Sequence, residues 1–389
     1  MIKGGNMERM DHNDDLSRSR LSASLNHQLS DIHYHMRISI PNIDRLSFAL
    51  YDPETDQLKT YADSSPHGSE LNQYSVALSD LPTLKSCAES GETRVVNNIA
   101  ERFSQNTHHT QWLIERGFHS SVAVPVYSQH HFIGMLFINS HKEDFFTDVI
   151  VSALAEFVDT LLISIISEYE LVHNLLDSTK NRNLSAPRHW SAGTCHRERM
   201  WRFTQVIAKE VAAQYQLSDE EIENITQFSR YHDIGKISVP YSTLTSSDTL
   251  TVAQRREIDQ HIEHGVEIID QIIEQLKSPN HHCVHLLKDI VAYHHEFLDG
   301  SGYPYGLSGE QIPICARIIT VANIFDALTS HHPHKQARSI PYALLDLEKM
   351  VFDGKLDGYC VNALREHQDE LEEIIRQYPG TDPCQSNAH

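Results

Sequence analysis

His294-His295-Glu296-Phe297-Leu298-Asp299-Gly300-Ser301-Gly302-Tyr303-Pro304 is the stretch on which the reading of this chain turns. Paired histidines and a glutamate run into Asp299–Pro304, whose glycines supply backbone turns and free amides close to the imidazoles. Upstream lie His261, in Asp259-Gln260-His261-Ile262-Glu263-His264-Gly265, and His232-Asp233-Ile234-Gly235-Lys236, at the end of a helical run from Ser218 with Ile222, Ile225 and Phe228 on one face. Further upstream, His196 opens a helix whose apolar face is Met200, Phe203, Ile207 and Val211; downstream, Asn323 and Asp326 sit in Val321-Ala322-Asn323-Ile324-Phe325-Asp326-Ala327-Leu328. One histidine on a half-apolar helix is ordinarily a satisfied core or surface residue. An ordered series on successive helices is different, because bundled helices project such side chains into one interior and can build a polynuclear metal site there. A carboxylate beside a histidine adds a ligand able to bridge two cations, which a neutral imidazole cannot do.

The rest of the composition agrees with a soluble protein. The 389 residues predict two or three domains at roughly 100–200 residues each, and 40% hydrophobic content excludes disorder over most of the chain. With 32 Lys+Arg against 53 Asp+Glu the formal charge is −21, which repels a nucleic-acid polymer while leaving room for a small anion at a local cationic or metal site. Cys87, Cys195, Cys283, Cys315, Cys360 and Cys384 form no C-x-x-C pair, so neither a disulfide framework nor a thiolate zinc knot is expected. Met1–Arg20 lacks the apolar core of a signal peptide, and the apolar stretch Val149–Ile166 carries Glu156 and Asp159 near its middle. The expectation is a cytoplasmic protein with no membrane partner.

In the N-terminal half, Leu21–Met36 has helical spacing and Arg45–Tyr51 reads as a strand entering the turn Asp52-Pro53-Glu54-Thr55-Asp56. Leu81–Ser90 is helical between Pro82 and Gly91, Thr93–Val96 is a β-branched strand, and Ser120–Tyr127 and Phe132–Asn139 form a hairpin around the polar tip Gln129-His130-His131. This order, and above all the "VPV…GMLFINS" hairpin, resembles a GAF domain over residues 20–165, which implies a sensory or dimerising α+β module with an antiparallel sheet and a ligand pocket. His33, His35, His108, His109 and His119 show no ligand spacing and are assigned to surfaces and loops. Val151, Val158, Ile165 and Val172 recur every seven residues, with Leu154, Leu161 and Leu175 complementary and Glu168 interrupting. That pattern fits either a parallel two-stranded coiled coil, hence a homodimer through residues 150–176, or the last helix of the domain packing on its own sheet. A signalling helix with its linker is expected over residues 150–187, the polar Asp177–Pro187 forming the hinge.

In the C-terminal half the H-D-x-G-K, H-H-E-x-x-D-G-x-G-Y-P and F-D-A-L-T-S patterns resemble the HD-GYP subgroup of the HD metal-dependent phosphohydrolases, from about Ser191 to Ile375. The resemblance implies an all-α bundle over residues 188–380, between a polar tail at 1–19 with the sensory domain behind it and a second tail at 381–389. It implies hydrolysis of a cyclic dinucleotide, chiefly cyclic di-GMP, to the linear form with two divalent ions, iron or manganese. His196, His232, Asp233, His261, His294 and His295 become metal ligands with Asp233 bridging, Lys236 a phosphate contact, and Tyr303 a nucleotide contact. A diguanylate cyclase is a possible partner.

Three positions depart from the family pattern. Asn323 stands where the last ligand is an aspartate; an amide oxygen still coordinates a hard cation but brings no charge, so it is expected to be a weak ligand. Ala192 replaces a glutamate found in three-metal members, which favours two ions. The phosphate-binding stretch reads His331-His332-Pro333-His334-Lys335, so His332 replaces an arginine and cannot make its bidentate fork, while Lys335 remains. A hybrid 3',3'-cyclic GMP-AMP substrate, or a receptor without turnover, are the alternatives that these substitutions raise. His264, His281, His282, His285 and His367 match no motif position and are assigned to surfaces and loops.

Overall fold

The computed structural model describes residues 23–65, 73–102, 108–185, 194–244, 251–277, 280–330 and 337–379. They fall into two compact units, one up to Leu171 with Ser218–Glu220 grouped to it, the other comprising the rest from Val172 on.

The first unit is built on a six-stranded antiparallel sheet in the order β3-β2-β1-β6-β5-β4, from β1 Arg45–Asp52, β2 Gln57–Asp63, β3 Ser75–Ala77, β4 Arg94–Val96, β5 Ser120–Ser128 and β6 His131–Ser140. Its helices are α1 Leu25–Ser39, α2 Pro82–Ser90, α3 Ile99–Arg102, α4 His108–Glu115 and the start of α5 Asp148–Ser185. Strands β5 and β6 read as largely apolar runs because both faces of the sheet are covered. Val122, Val124, Val126, Leu136 and Ile138 point to the face that buries Leu25, Leu29 and Met36 of α1 and Leu154, Leu161 and Ile165 of α5. Ala123, Met135 and Phe137 point to the other, against Leu84 and Cys87 of α2. Helix α2 starts at Pro82, whose missing N–H costs nothing in a first turn, and stops where Gly91 takes φ 75°.

The heptad spacing in α5 is thus the stripe of a core helix: Leu154, Leu161 and Ile165 are at most 2% exposed, buried in their own domain. The same helix is long and apolar enough to cross a membrane by length and composition, and 22% of its most apolar window is buried. The hinge expected over Asp177–Pro187 is helical as far as Ser185, because nothing before that point breaks the backbone hydrogen bonding. His33 is not a surface residue: it is buried, bonded through Nε2 to the Ile43 carbonyl at 3.0 Å, and burial pulls its pKa down. A pocket with about 430 Å³ of empty space opens beside Arg45, walled by Phe48, Leu58, Leu81, Leu84 and Phe137.

The second unit is helical: α6 Thr194–Tyr215, α7 Asp219–Phe228, α8 Tyr241–Leu244, α9 Val252–Asp259, α10 His261–Leu276, α11 His282–Tyr293, α12 Ile314–Thr329, α13 Ile340–Phe352, α14 Gly358–Glu366 and α15 Gln368–Gln377. Met200, Phe203, Ile207 and Val211 of α6 are buried as their spacing predicts, and Phe203 meets Phe325 of α12 edge to face. Helices α10, α11 and α12 pack in sequence through Ile269, Ile272, Ile290, Val291, Ile318 and Ile319. Helix α7 stops at Phe228, short of the His232-Asp233 pair, and tight 3-10 turns follow at Ser229–Tyr231 and Ile234–Ser238. The second turn lies directly on the start of α10. A Cβ at Gly235 would stand 1.8 Å from the His261 carbonyl oxygen and 2.4 Å from the Gly265 nitrogen, so two backbones touch where only glycine fits.

Two outcomes are expected from this packing. Gly235→Ala drives a methyl into backbone that cannot yield, and denaturant unfolding should show a loss of about 3 kcal/mol or more. In the β5–β6 turn, Gln129 and His130 both hold positive φ (48° and 68°) between the paired Ser128 and His131, the geometry of a two-residue type I′ turn. His130→Gly should therefore stabilise the first unit by about 1 kcal/mol in the same measurement.

Candidate metal centre

The centre is assembled from side chains on four elements and the turns between them. His232 lies between the two 3-10 turns, and Asp233 sits at φ −96°, ψ 17°, in the sparsely populated bridge region that aims its carboxylate inward. His261 is the first residue of α10, His294 and His295 follow the end of α11, and His196 is in the first turn of α6. Donor atoms of Asp233, His261, His294 and His295 lie within 4.8 Å of one another, as do those of His196, His232 and Asp233. Asp233 belongs to both groups. Its Oδ1 is 3.2 Å from His261 Nε2 and 3.5 Å from His294 Nε2, and its Oδ2 is 3.4 Å from His232 Nε2.

The far side of each ring decides which nitrogen faces the centre. His232 Nδ1 is 2.7 Å from the Ser229 carbonyl, His261 Nδ1 is 2.6 Å from that of Ile258, and His294 Nδ1 is 3.0 Å from that of Ile290. A carbonyl only accepts, so each Nδ1 carries the proton and each Nε2 turns a lone pair inward. His196 follows the same rule with a carboxylate: its Nδ1 is 2.7 Å from Asp326 Oδ2. Burial lowers the His294 pKa to about 4 despite the nearby Asp233, and burial together with His294 holds His295 well below the ordinary imidazole value. Both rings are therefore neutral at pH 7.

Burial by itself would raise the Asp233 pKa, but the Lys236 ammonium beside it outweighs that, and the carboxyl is held well below its usual range. Lys236 Nζ lies 2.5 Å from Asp233 Oδ2. Around this anion, His232 Nε2, His261 Nε2, His294 Nε2 and Asp233 Oδ1 are all buried without a hydrogen-bond partner. Each such orphan costs about 1–3 kcal/mol. Imidazole lone pairs converging on a carboxylate repel it unless a cation lies between them, so this donor set fits divalent ions held by nitrogen and oxygen.

The 294–304 segment is built around Glu296. Its buried carboxylate accepts the backbone N–H groups of Tyr305, Gly306 and Leu307 at 2.7, 3.2 and 3.0 Å. Gly302 lies against the backbone of residues 295–297, where a Cβ would come within 2.4 Å of Phe297 N, and Tyr303 N donates to the His295 carbonyl at 3.1 Å. The Tyr303 ring is thereby laid on the His295 ring, centroids 4.7 Å apart and 16° from parallel. One face of Tyr303 is taken by His295, and burial raises its phenol pKa.

Asn323 lies one turn before Asp326 on α12 and is half-buried. Asp326 is no substitute ligand, because its carboxylate is engaged by His196 and by Arg199, whose Nε reaches Oδ1 at 2.5 Å. His332, Lys335 and Ala192 lie outside the described residues. Of the histidines assigned to surfaces, His281 is buried and caps the N-terminus of α11 through the Cys283 N–H. Glu296 and Arg199 are the site residues that motif reading passed over. Glu296 stood inside the quoted stretch beside two histidines and was given no role, and Arg199, one turn from His196, has no ligand chemistry to mark it.

Two family models match the chain, the GAF domain over residues 35–165 and the HD domain over residues 170–359. A cyclic di-GMP phosphodiesterase response regulator of Xanthomonas campestris is 38% identical over 173 residues, 44% of this chain and 43% of its own length. A 3'3'-cGAMP-specific phosphodiesterase of Vibrio cholerae is 32% identical over 213 residues, 54% of this chain and 37% of its own. A cyclic di-GMP phosphodiesterase of Thermotoga maritima is 32% identical over 183 residues, 47% of this chain and 46% of its own. The chain spans less than half the length of these curated relatives. The antiparallel sheet domain followed by the helical unit that gathers the histidines agrees with these matches, a region similar to GAF domains ahead of a region similar to HD domains.

Proposed function

We propose that this chain is a metal-dependent phosphodiesterase that opens a cyclic dinucleotide, with cyclic di-GMP as the principal substrate and the linear pGpG as first product. The observation that carries the reading is the pair of donor groups sharing Asp233, with an ammonium on the same carboxylate. Its relatives being named as cyclic dinucleotide phosphodiesterases supports the substrate class.

In this reading His196, His232, Asp233, His261, His294 and His295 hold two ions, iron or manganese, with Asp233 shared between them and Asn323 a weak neutral ligand. The bound ions would supply a water of lowered pKa and polarise the phosphoryl oxygens. Lys236 turns its ammonium from Asp233 to a non-bridging phosphate oxygen, where negative charge grows during displacement. Tyr303 offers the ring face that His295 leaves open to a base, and His332 and Lys335 meet the phosphates. The carbonyl bonds at Nδ1 keep the rings of His232, His261 and His294 oriented throughout.

The hybrid 3',3'-cyclic GMP-AMP is the second reading, favoured by Asn323 and His332 and by the relatives named as specific for it. The GAF domain regulates the HD domain, its ligand taken in the pocket beside Arg45. The protein works in the cytoplasm as a homodimer through the 150–176 helix, using the half-buried Val151, Val158 and Val172 where the leucines of that helix are buried. A diguanylate cyclase is a further partner.

Full-length protein loaded with manganese should linearise cyclic di-GMP, and His232→Ala with Asp233→Ala should reduce turnover at least about a thousandfold, given what two-metal clamping contributes. Unchanged turnover in that double variant would sink the assignment. Cyclic di-GMP and the hybrid assayed side by side rank the two substrates; tight binding of either with no turnover under any metal would make the protein a receptor. Because the chain carries a net charge of −21, chelation should abolish dinucleotide binding as well as turnover, which calorimetry on chelated protein checks.

A further inference from the structure

His196 is the one candidate ligand whose outward nitrogen meets a side chain, among those with a described partner there, and that side chain leads away from the centre. Asp326 of α12, 4% exposed, accepts His196 Nδ1 on Oδ2 and grips Arg199 with both oxygens, Nε at 2.5 Å and Nη2 at 3.1 Å. Arg199 lies three residues after His196 on α6, on the same helix face. Four of its five N–H donors are engaged: Nη2 also reaches Ser330 Oγ at 2.8 Å, and Nη1 donates to the Tyr378 carbonyl at 2.8 Å. Tyr378 ends α15 and is held a second time from α6, by Arg202, which donates to its hydroxyl at 2.9 Å and lies over its ring.

We propose that Tyr378, Arg199 and Asp326 form a positioning relay that sets the His196 imidazole, so that the end of α15 governs how firmly the ion at His196, His232 and Asp233 is held. The inference rests on the two-ion reading above and adds to it a named determinant that discriminates between the ions. His196 is 23% exposed in its side chain where His232, His261 and His294 are at most 2% exposed, so packing alone does not hold its ring. Its orientation comes from the carboxylate, and the carboxylate's from Arg199. The other group, Asp233 with His261, His294 and His295, has backbone carbonyls behind His261 and His294 and does not touch the relay.

The test is manganese binding to the full-length protein, read as ions retained and as the dissociation constant of each against a competing chelator. Asp326→Asn and Arg199→Lys should weaken one ion by about ten- to a hundredfold, as loss of a partner behind a ligating histidine does, and leave the other in place. Tyr378→Ala, which keeps the carbonyl that Arg199 reaches but removes the half-exposed side chain that Arg202 holds, should weaken the same ion by a smaller factor and serves if the buried variants fail to fold. Arg317→Lys, in the separate Arg317–Asp357 pair, should lower the melting temperature without changing either ion. Two ions held as tightly in every variant as in the parent chain would overturn the relay alone. A parent chain that binds no manganese would overturn the two-ion reading and the relay with it.

Discussion

Everything in the second unit answers to one buried anion. A carboxylate at Asp233, ringed by imidazoles and tucked among helices, is unfavourable unless positive charge meets it, and Lys236 supplies only part of that. The surrounding scaffold turns the rings of His196, His232, His261 and His294 inward by giving each Nδ1 an acceptor of its own. Three of those acceptors are main-chain carbonyls left over where a helix or turn ends, at Ser229, Ile258 and Ile290. The ligands are therefore placed by backbone geometry, and the contact of Gly235 with Gly265 lets two of the pieces come close enough for one carboxylate to serve both groups.

Much of this was legible in the sequence because ligand chemistry is carried by few residue types. His196, His232, Asp233, His261, His294 and His295 were identified by order and spacing, and they converge. The supporting residues were not legible in the same way. Glu296, which gathers three amides, and Arg199, which reaches Asp326, Ser330 and Tyr378, have side chains equally common on surfaces, and only their contacts in the fold reveal their work. The helical assignment of His232-Asp233 was too simple: apolar spacing ends with Phe228, and the turns that follow carry no periodicity to read.

The first unit shows the same division. Strand limits, the α2 caps and the central hairpin followed from β-branched runs, Pro82 and Gly91. The long helix was ambiguous, since a seven-residue repeat describes a core-facing stripe as well as an intermolecular seam; Leu154, Leu161 and Ile165 face the sheet. His33 and His281 were misread because a histidine buried against a carbonyl or capping a helix has the same spacing as one in water.

The loop around Tyr303 carries a consequence for traffic at the site. Glu296 ties it from one side through Tyr305, Gly306 and Leu307, and Leu298 N donates to the Lys355 carbonyl at the α13–α14 turn, tying it from the other. A glycine-rich segment fastened at both flanks is a wall, and His295 and Tyr303 move as one stacked piece of it. Any group that packs at this edge meets a tyrosine already held in place, and the cost of ordering the loop is met during folding.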